Sequence, residues 1–341
     1  MTAVLTRKRL AVLIASYALL SAATLLLSPL VGSERLSWNQ VVGALLSQVG
    51  SVDADIFLYH RIPRVLLAFL VGGSLAVAGS ALQVALRNPL AEPFILGITG
   101  GGALGAVVAI SIPSLLVHVG PFSSVQVFSL LGCILCLGGI YRFATSAMGL
   151  SMSTILLAGV TINILCGAAI LLVRYLVSPH LLVIMDRWMM GGLDVVGYRE
   201  LAALLPLAVS GLTLLFIQGN ALNQLAFGEE MATGHGVNVT SVQKQIFLGT
   251  GLATAAAVSL AGPIGFVGLI IPHAVRRLSG FDHRVVLPAS FLLGGSFLTI
   301  CDLIARTVVA PTEMPVGIIT AMIGGPVFLR ILLKRGKSLR K

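Results

Sequence analysis

Long, nearly charge-free apolar runs alternate with short polar and basic segments along the chain, and each run predicts a helix. Leu10 to Ser33 is the first, preceded by Arg7, Lys8 and Arg9. Val65 to Leu86 is the second. Pro93 to Tyr141 contains no Asp, Glu, Lys or Arg and is long enough for two spans, broken near Pro113 to Pro121. Ser151 to Val173, Leu201 to Gln218 and Ile246 to Ala261 give the fifth, sixth and seventh. Ile264 to Val275 is too short to cross a bilayer alone, because a span needs about 20 apolar residues, so it reads as a half-length or tilted eighth helix. Val285 to Ala305 and Val316 to Leu333 complete a set of ten. Between them, Glu34 to His60 is a polar loop with a short surface helix expected around Trp38 to Leu46. Gly219 to Gln243 is the longest loop on the other side. A single transmembrane domain over residues 1–341 is expected, with no water-soluble domain.

Composition fixes the solvent. Of the 341 residues 57% are hydrophobic and 10% charged, where a soluble domain carries about a quarter charged. Such a chain cannot cover its surface with polar groups, so the missing solvent is lipid. This excludes a soluble enzyme, a secreted disulfide scaffold, a disordered tail and a DNA-binding domain. Aromatic residues make up only 6% while glycines number 38, which suits closely packed helices rather than a β-barrel with aromatic girdles. The first run resembles a signal peptide but is too long, and it reads as an uncleaved span.

The net charge of +10 follows the positive-inside rule rather than a nucleic-acid partner. Ten spans put both basic termini on one side. With both in the cytoplasm, that side also holds Arg87, Arg142, Lys244, Arg276, Arg277, Arg284 and Arg330. The outer side holds only Arg35, Arg61, Arg64, Arg174, Arg187, Arg199 and Arg306. Cys133, Cys136, Cys166 and Cys301 all lie in apolar runs. The CxxC pair has no His or second pair nearby, so it reads as packing and no metal site is expected.

Several motifs carry two readings each. Gly72-Gly73-Ser74, Gly79-Ser80 and Gly100-Gly101-Gly102 with Gly105 permit close helix packing, or a surface that slides between conformations. In Arg87-Asn-Pro-Leu-Ala-Glu-Pro93 the prolines stop the helix and Glu92 is placed to cap the next start. Arg61 and Arg64, three apart, share one helix face. They reach headgroups or receive a docking partner's carboxylates. Leu222 to Gly236 reads as two short helical turns separated by Gly228, with Glu229 and Glu230 at the second N-terminus. It is a plain connector or a unit that presses into another protein. Gly262 to His273 breaks the seventh and eighth helices, as happens where backbone lines a cavity or is buried in protein. His273 is a proton carrier, a ligand or a structural histidine. Enzyme motifs are absent, and Gly336-Lys337-Ser338 lacks the earlier glycine of a phosphate-binding loop. Asp302 is the one acidic residue set deep in an apolar run, fewer than a secondary transporter or proton pump usually carries.

Six segments in this order resemble one family, the FecCD-type permease subunits of ABC importers for ferric siderophores, haem and cobalamin. They are Arg61-Ile-Pro-Arg64, Arg87-Asn-Pro-Leu-Ala-Glu-Pro93, Leu156-Leu-Ala-Gly-Val160, Trp188-Met-Met-Gly-Gly192, Gly265-Phe-Val-Gly-Leu-Ile-Ile-Pro-His273 and Glu313-Met-Pro-Val-Gly317. The resemblance runs from the first span to the C-terminus. It implies an all-α, type II importer permease of about ten helices, paired with a second permease subunit, most simply as a homodimer in the bacterial inner membrane. It also implies two cytoplasmic ATP-binding subunits and a periplasmic binding protein. ATP and magnesium would then belong to the partner subunits, with no cofactor on this chain. Arg61, Arg64 and Arg306 match outer-face arginines that receive glutamates from the binding protein. Leu222, Leu225, Gly228, Glu229, Glu230, Ala232 and Gly236 match the coupling helices that sit on the ATPase. Met152 and Ser153 match the inner gate, where Met152 departs from the small polar residues expected. Thr161, Asn163 and Gly167 are candidates for the pathway wall. Tyr175, His180, Met189 and Met190 suggest haem ligation only weakly. A transporter or channel working without an ATPase, an intramembrane enzyme and a molybdate-like oxyanion importer of the same family are the rival readings.

Overall fold

The computed structural model describes residues 7–34, 36–47, 51–146 and 149–338. Arg35, Arg340 and Lys341, used in the charge count, lie outside the described residues. Fifteen helices follow one another there: α1 (Arg7–Leu27), α2 (Trp38–Ser47), α3 (Val52–Asp55), α4 (Ile62–Ala85), α5 (Ile98–Ser111), α6 (Ser124–Ala144), α7 (Met152–Leu176), α8 (Pro179–Met189), α9 (Arg199–Phe216), α10 (Gly219–Leu225), α11 (Glu229–Gly234), α12 (Val239–Ala261), α13 (Val267–Ser279), α14 (His283–Thr307) and α15 (Val316–Ser338). Each of the ten expected spans has its helix. Six are long and apolar enough to cross a membrane on length and composition, with α5 and α15 shorter apolar helices beside them. α13, at 13 residues, is about 20 Å long and is indeed a half-span. The only strands among the described residues are two short antiparallel pairs, 118–119 with 122–123 and 145–146 with 149–150.

Three elements depart from the expectation. The second span does not begin at Val65: a wide helical turn at Ile56–Arg61 joins α3 to α4, giving one apolar unit from Val52 to Ala85. The seventh begins earlier, at Val239, because Asn238 caps it by accepting from Ser241 N at 3.0 Å. α8 is an additional amphipathic helix carrying Asp186 and Arg187. It is tied to α7 by the Arg174–Asp186 ion pair.

α4 is the centre of the bundle. It packs on α14, α12, α13 and α9, while α5 packs on α6 and α7 and α12 joins the two groups. Small residues set these distances. A Cβ on Gly79 would overlap the Gly268 carbonyl of α13, and one on Gly105 would overlap the Phe128 carbonyl of α6. The glycine clusters are therefore packing surfaces, the first of their two readings. α1 is fastened to α14 by polar contacts, with Ser21 Oγ 3.1 Å from Ser296 Oγ. Tyr17 OH lies 2.8 Å from Ser279 Oγ of α13.

The break after α12 is built from two left-handed residues, Gly262 and Phe266. Glu92 does not cap the short turn that follows it; its carboxylate instead accepts from Phe266 N at 3.3 Å, at the start of α13. Burial raises the Glu92 pKa above its ordinary value. Gly192 N donates to Ala261 O at 2.9 Å and Gly317 N to Gly191 O at 3.4 Å. Two of the family-like segments, 188–192 and 313–317, thus meet the end of α12 at one backbone crossing.

Candidate transport pathway and partner surfaces

The side holding the start of α4 and the end of α14 carries a buried charge network. Asp302 is fully buried between two arginines. Arg64 Nε donates to its Oδ1 at 2.9 Å, and Arg306 Nε pairs with its Oδ2 at 2.9 Å. Arg64 Nη1 also donates to Glu313 Oε2 at 2.6 Å. Arg306 reaches Ser28 Oγ and Val31 O. Arg61 is 6% exposed and donates to the carbonyls of Pro29, Leu30 and Glu34. The three arginines read as docking residues are all engaged here with the chain's own oxygens, because a buried guanidinium must be paired where it sits. Among the exposed charged residues on this side, Arg187 and Asp194 face each other at 3.5 Å.

A lateral groove of about 610 Å³ runs between α5, α7 and α15. Asn163 and Gly167, four residues apart on α7, both line it, with Phe94, Ile164, Met189 and Met190. Asn163 Nδ2 donates to Phe94 O at 2.9 Å. Thr161 lies on another face of α7 and returns its hydroxyl to Leu157 O at 2.8 Å, so it is not part of this wall. Tyr175 and His180 are exposed away from the groove, with His180 Nδ1 3.0 Å from Ser178 Oγ. The four residues weighed for haem ligation are thus not brought together; only the two methionines share the groove. No cluster of three or more His, Cys, Asp or Glu able to hold a metal occurs among the described residues.

On the opposite side, that of the termini, α10 and α11 form the compact unit expected, but its apolar residues point inward. Leu222, Leu225 and Ala232 are buried against α4, α12 and α14. They hold the unit to the body and cannot themselves enter a partner's groove. Gly228 and Gly236 take left-handed backbone, which glycine adopts without cost. The Arg87 guanidinium lies against Gly228 and would have to shift to admit a side chain there. Glu229 Oε1 accepts from Gln243 Nε2 at 2.9 Å, anchoring the first turn of α11, whereas Glu230 is exposed. Phe227 at 74% and Met231 at 52% exposure are the outward apolar residues, and the sequence reading missed both. At the start of α7, Ser151 caps the helix, Met152 packs between two cores and Ser153 is exposed. His273, in the middle of α13, lines a cavity with Arg276 and Arg277.

A ten-helix bundle with a half-span, a lateral groove and a two-helix unit on one face describes a membrane permease. Residues 19–334 match the model of the FecCD transport family, and the chain belongs to that family. It is 42% identical to the cobalamin import permease BtuC of Halobacterium salinarum, over 81% of this chain and 72% of that one. It is 39% identical to the hemin permease HmuU of Yersinia pestis, over 82% and 84%. The ABC transporter permease YvrB of Bacillus subtilis is 38% identical over 91% and 89%. A solved metal-chelate type ABC transporter, in an inward-facing conformation, superposes with a TM-score of 0.80 at 29% identity, covering 95% of this chain and 99% of that one.

Proposed function

We propose that the chain is the membrane subunit of an ATP-driven importer. It would bring a metal chelate of the cobalamin, haem or ferric-siderophore kind from periplasm to cytoplasm, with both termini cytoplasmic. In this reading two copies enclose the pathway, two ATPase subunits bind below and a binding protein delivers cargo from above. The observation that carries it is the α10–α11 unit, which buried leucines fix rigidly to the central helices while Phe227, Glu230 and Met231 face out. Such a unit transmits a push from a partner into the bundle without yielding. The groove's lining favours a bulky cargo, since it is wide, mostly apolar and free of charge, and a charge-free wall gives a small oxyanion nothing to pair with. ATP hydrolysis belongs to the partners in this scheme, and the chain contributes the moving walls.

Reconstitution with the ATPase and binding protein, followed by uptake of labelled cobalamin, haem and ferric siderophores, tests the reading. Uptake of one chelate only with ATP is expected. Uptake by the chain alone, or of oxyanion alone, refutes it. Replacing Phe227 and Met231 by Asp, or Glu229 and Glu230 by Lys, is expected to uncouple hydrolysis from uptake. Unchanged cargo-stimulated hydrolysis and uptake would remove the lever assignment.

A further inference from the structure

The four cysteines divide by their surroundings. Cys133 and Cys301 are completely buried, in two separate cores. Cys136 is half-buried on α6, and Cys166 is buried on α7. Spacing in the sequence pairs Cys136 with Cys133, yet the two sulfurs lie over different glycines of α5, Gly101 and Gly102. The partner of Cys136 is instead Cys166: the two thiols share a hydrogen bond across the boundary of α6 and α7.

α5 sets this placement. A Cβ on Gly101 would overlap Cys136 Sγ of α6, and one on Gly100 would overlap Asn163 Oδ1 of α7. Adjacent glycines thus seat the two helices side by side, and α6 and α7 also pack on each other directly. Asn163 and Cys166 are three apart and share one face of α7, so Cys166 follows Asn163 into the same seam. Each thiol lies about 12 Å or more from either end of its helix. The surface around them is apolar, with Leu131, Ile134 and Leu135 of α6 and Ile164 and Leu165 of α7 facing outward. An apolar reagent reaches Cys136, the more exposed of the pair, and a charged one is held off by the cost of entering that depth.

We propose that Cys136 and Cys166 are a redox pair, closed to a disulfide between α6 and α7 by an organic hydroperoxide that enters through this apolar surface. The Cys136 sulfur attacks the outer peroxide oxygen, the O–O bond breaks and the alcohol leaves with a proton, so Cys136 becomes a sulfenic acid. The Cys166 sulfur then attacks that sulfur; the S–S bond forms, the S–O bond breaks and the hydroxyl leaves as water with the Cys166 proton. The two thiols lose two electrons and the peroxide gains them. Contact between the thiols makes the second step intramolecular and therefore fast, and its product is neutral, as the bilayer interior requires. The link ties to α6 the part of α7 that carries Asn163 and Gly167, the groove wall. The inference goes beyond the transport reading, and its test needs no transport.

The full chain, reduced and reconstituted in lipid nanodiscs, is treated with cumene hydroperoxide. It is then unfolded in dodecyl sulfate, the remaining thiols are capped with N-ethylmaleimide, and the digest is read by mass spectrometry. Two of the chain's four thiols are expected to escape capping, in a Cys136–Cys166 peptide pair two hydrogens lighter than its reduced parts. C133S and C301S should form the same link, and C136S and C166S should not. In C166S the first step has no second, so Cys136 should stop as a sulfenic acid that dimedone traps, and the wild type should give little of that adduct. Oxidation of Met231, which is exposed, to its sulfoxide in the same sample shows that the reagent acted. Capping of all four cysteines in a sample whose Met231 is oxidised would overturn the proposal. So would a Cys133–Cys136 link, or a Cys136 link between two copies of the chain.

Discussion

α4 and α7 are nearly equal in length and hydropathy, yet 83% of the apolar stretch running through α4 is buried and only 22% of that in α7. Hydropathy selects both for the bilayer and says nothing about which one other helices surround. The difference lies in the small residues. Gly72, Gly73 and Gly79 of α4 each touch a neighbouring backbone or ring, whereas α7 has one such glycine, Gly159 against Ile95 O, and Gly167 has nothing within 4 Å. α7 spreads Leu157, Ile164, Leu165, Leu171 and Leu172 outward. One helix is a shared wall of the bundle and the other faces whatever lies outside it: lipid, a second subunit or cargo.

Five substitutions break or sharpen that contrast. Asp302→Ala, beside α4, strands Arg306 as a buried charge without a counter-ion and leaves Arg64 only Glu313 and Asp194. It should cost about 3–5 kcal/mol, read as a large drop in melting temperature in detergent; a small drop would mean the network relaxes into solvent. Gly79→Val drives a side chain into the Gly268 carbonyl and should cost roughly 1–3 kcal/mol. Gly167→Val, on α7, should stay within about 0.5 kcal/mol, and equal losses for the two would erase the distinction. Asn163→Ala removes the bond to Phe94 O and should cost about 1 kcal/mol. The smallest effect is expected in the link leaving α4. The raised pKa of Glu92 means that the folded state disfavours its charged form, so stability falls as pH rises through that value. Glu92→Gln should therefore melt higher than the wild type at pH 8 and lose the advantage in acid. A constant difference across pH would show that Glu92 acts only through its bond to Phe266.

The ten spans were legible because lipid imposes a simple rule, that charges interrupt apolar runs. Where folding neutralises a charge the rule fails. His60, Arg61 and Arg64 made the second span look as if it began at Val65, but Arg64 is paired with Asp302 and Glu313, residues about 240 positions away. α8 was hidden for a similar reason, since Asp186 finds its counter-ion on α7. The arginine positions were legible, while their surroundings were not. The i, i+4 spacing of Asp302 and Arg306 was the available hint that these guanidinium groups have internal partners. The coupling segment was legible in place but inverted in facing, because Leu222 and Leu225 give no sign of which side the body occupies. Phe227, directly before Gly228, could have been singled out as a large residue at the tip of a turn.

The crossing of residues 188–192, 262–266 and 315–317 has a mechanical consequence. Ala261 hands its carbonyl to Gly192, and Gly191 hands its own to Gly317, so α8, α12 and α15 are stitched at one point by main chain alone. The glycines there leave no room for a side chain, since a Cβ on Gly317 would overlap the Met190 carbonyl and one on Gly191 the Pro263 carbonyl. A tilt of α15 would therefore be passed through main chain to the end of α8 and to the break ahead of α13.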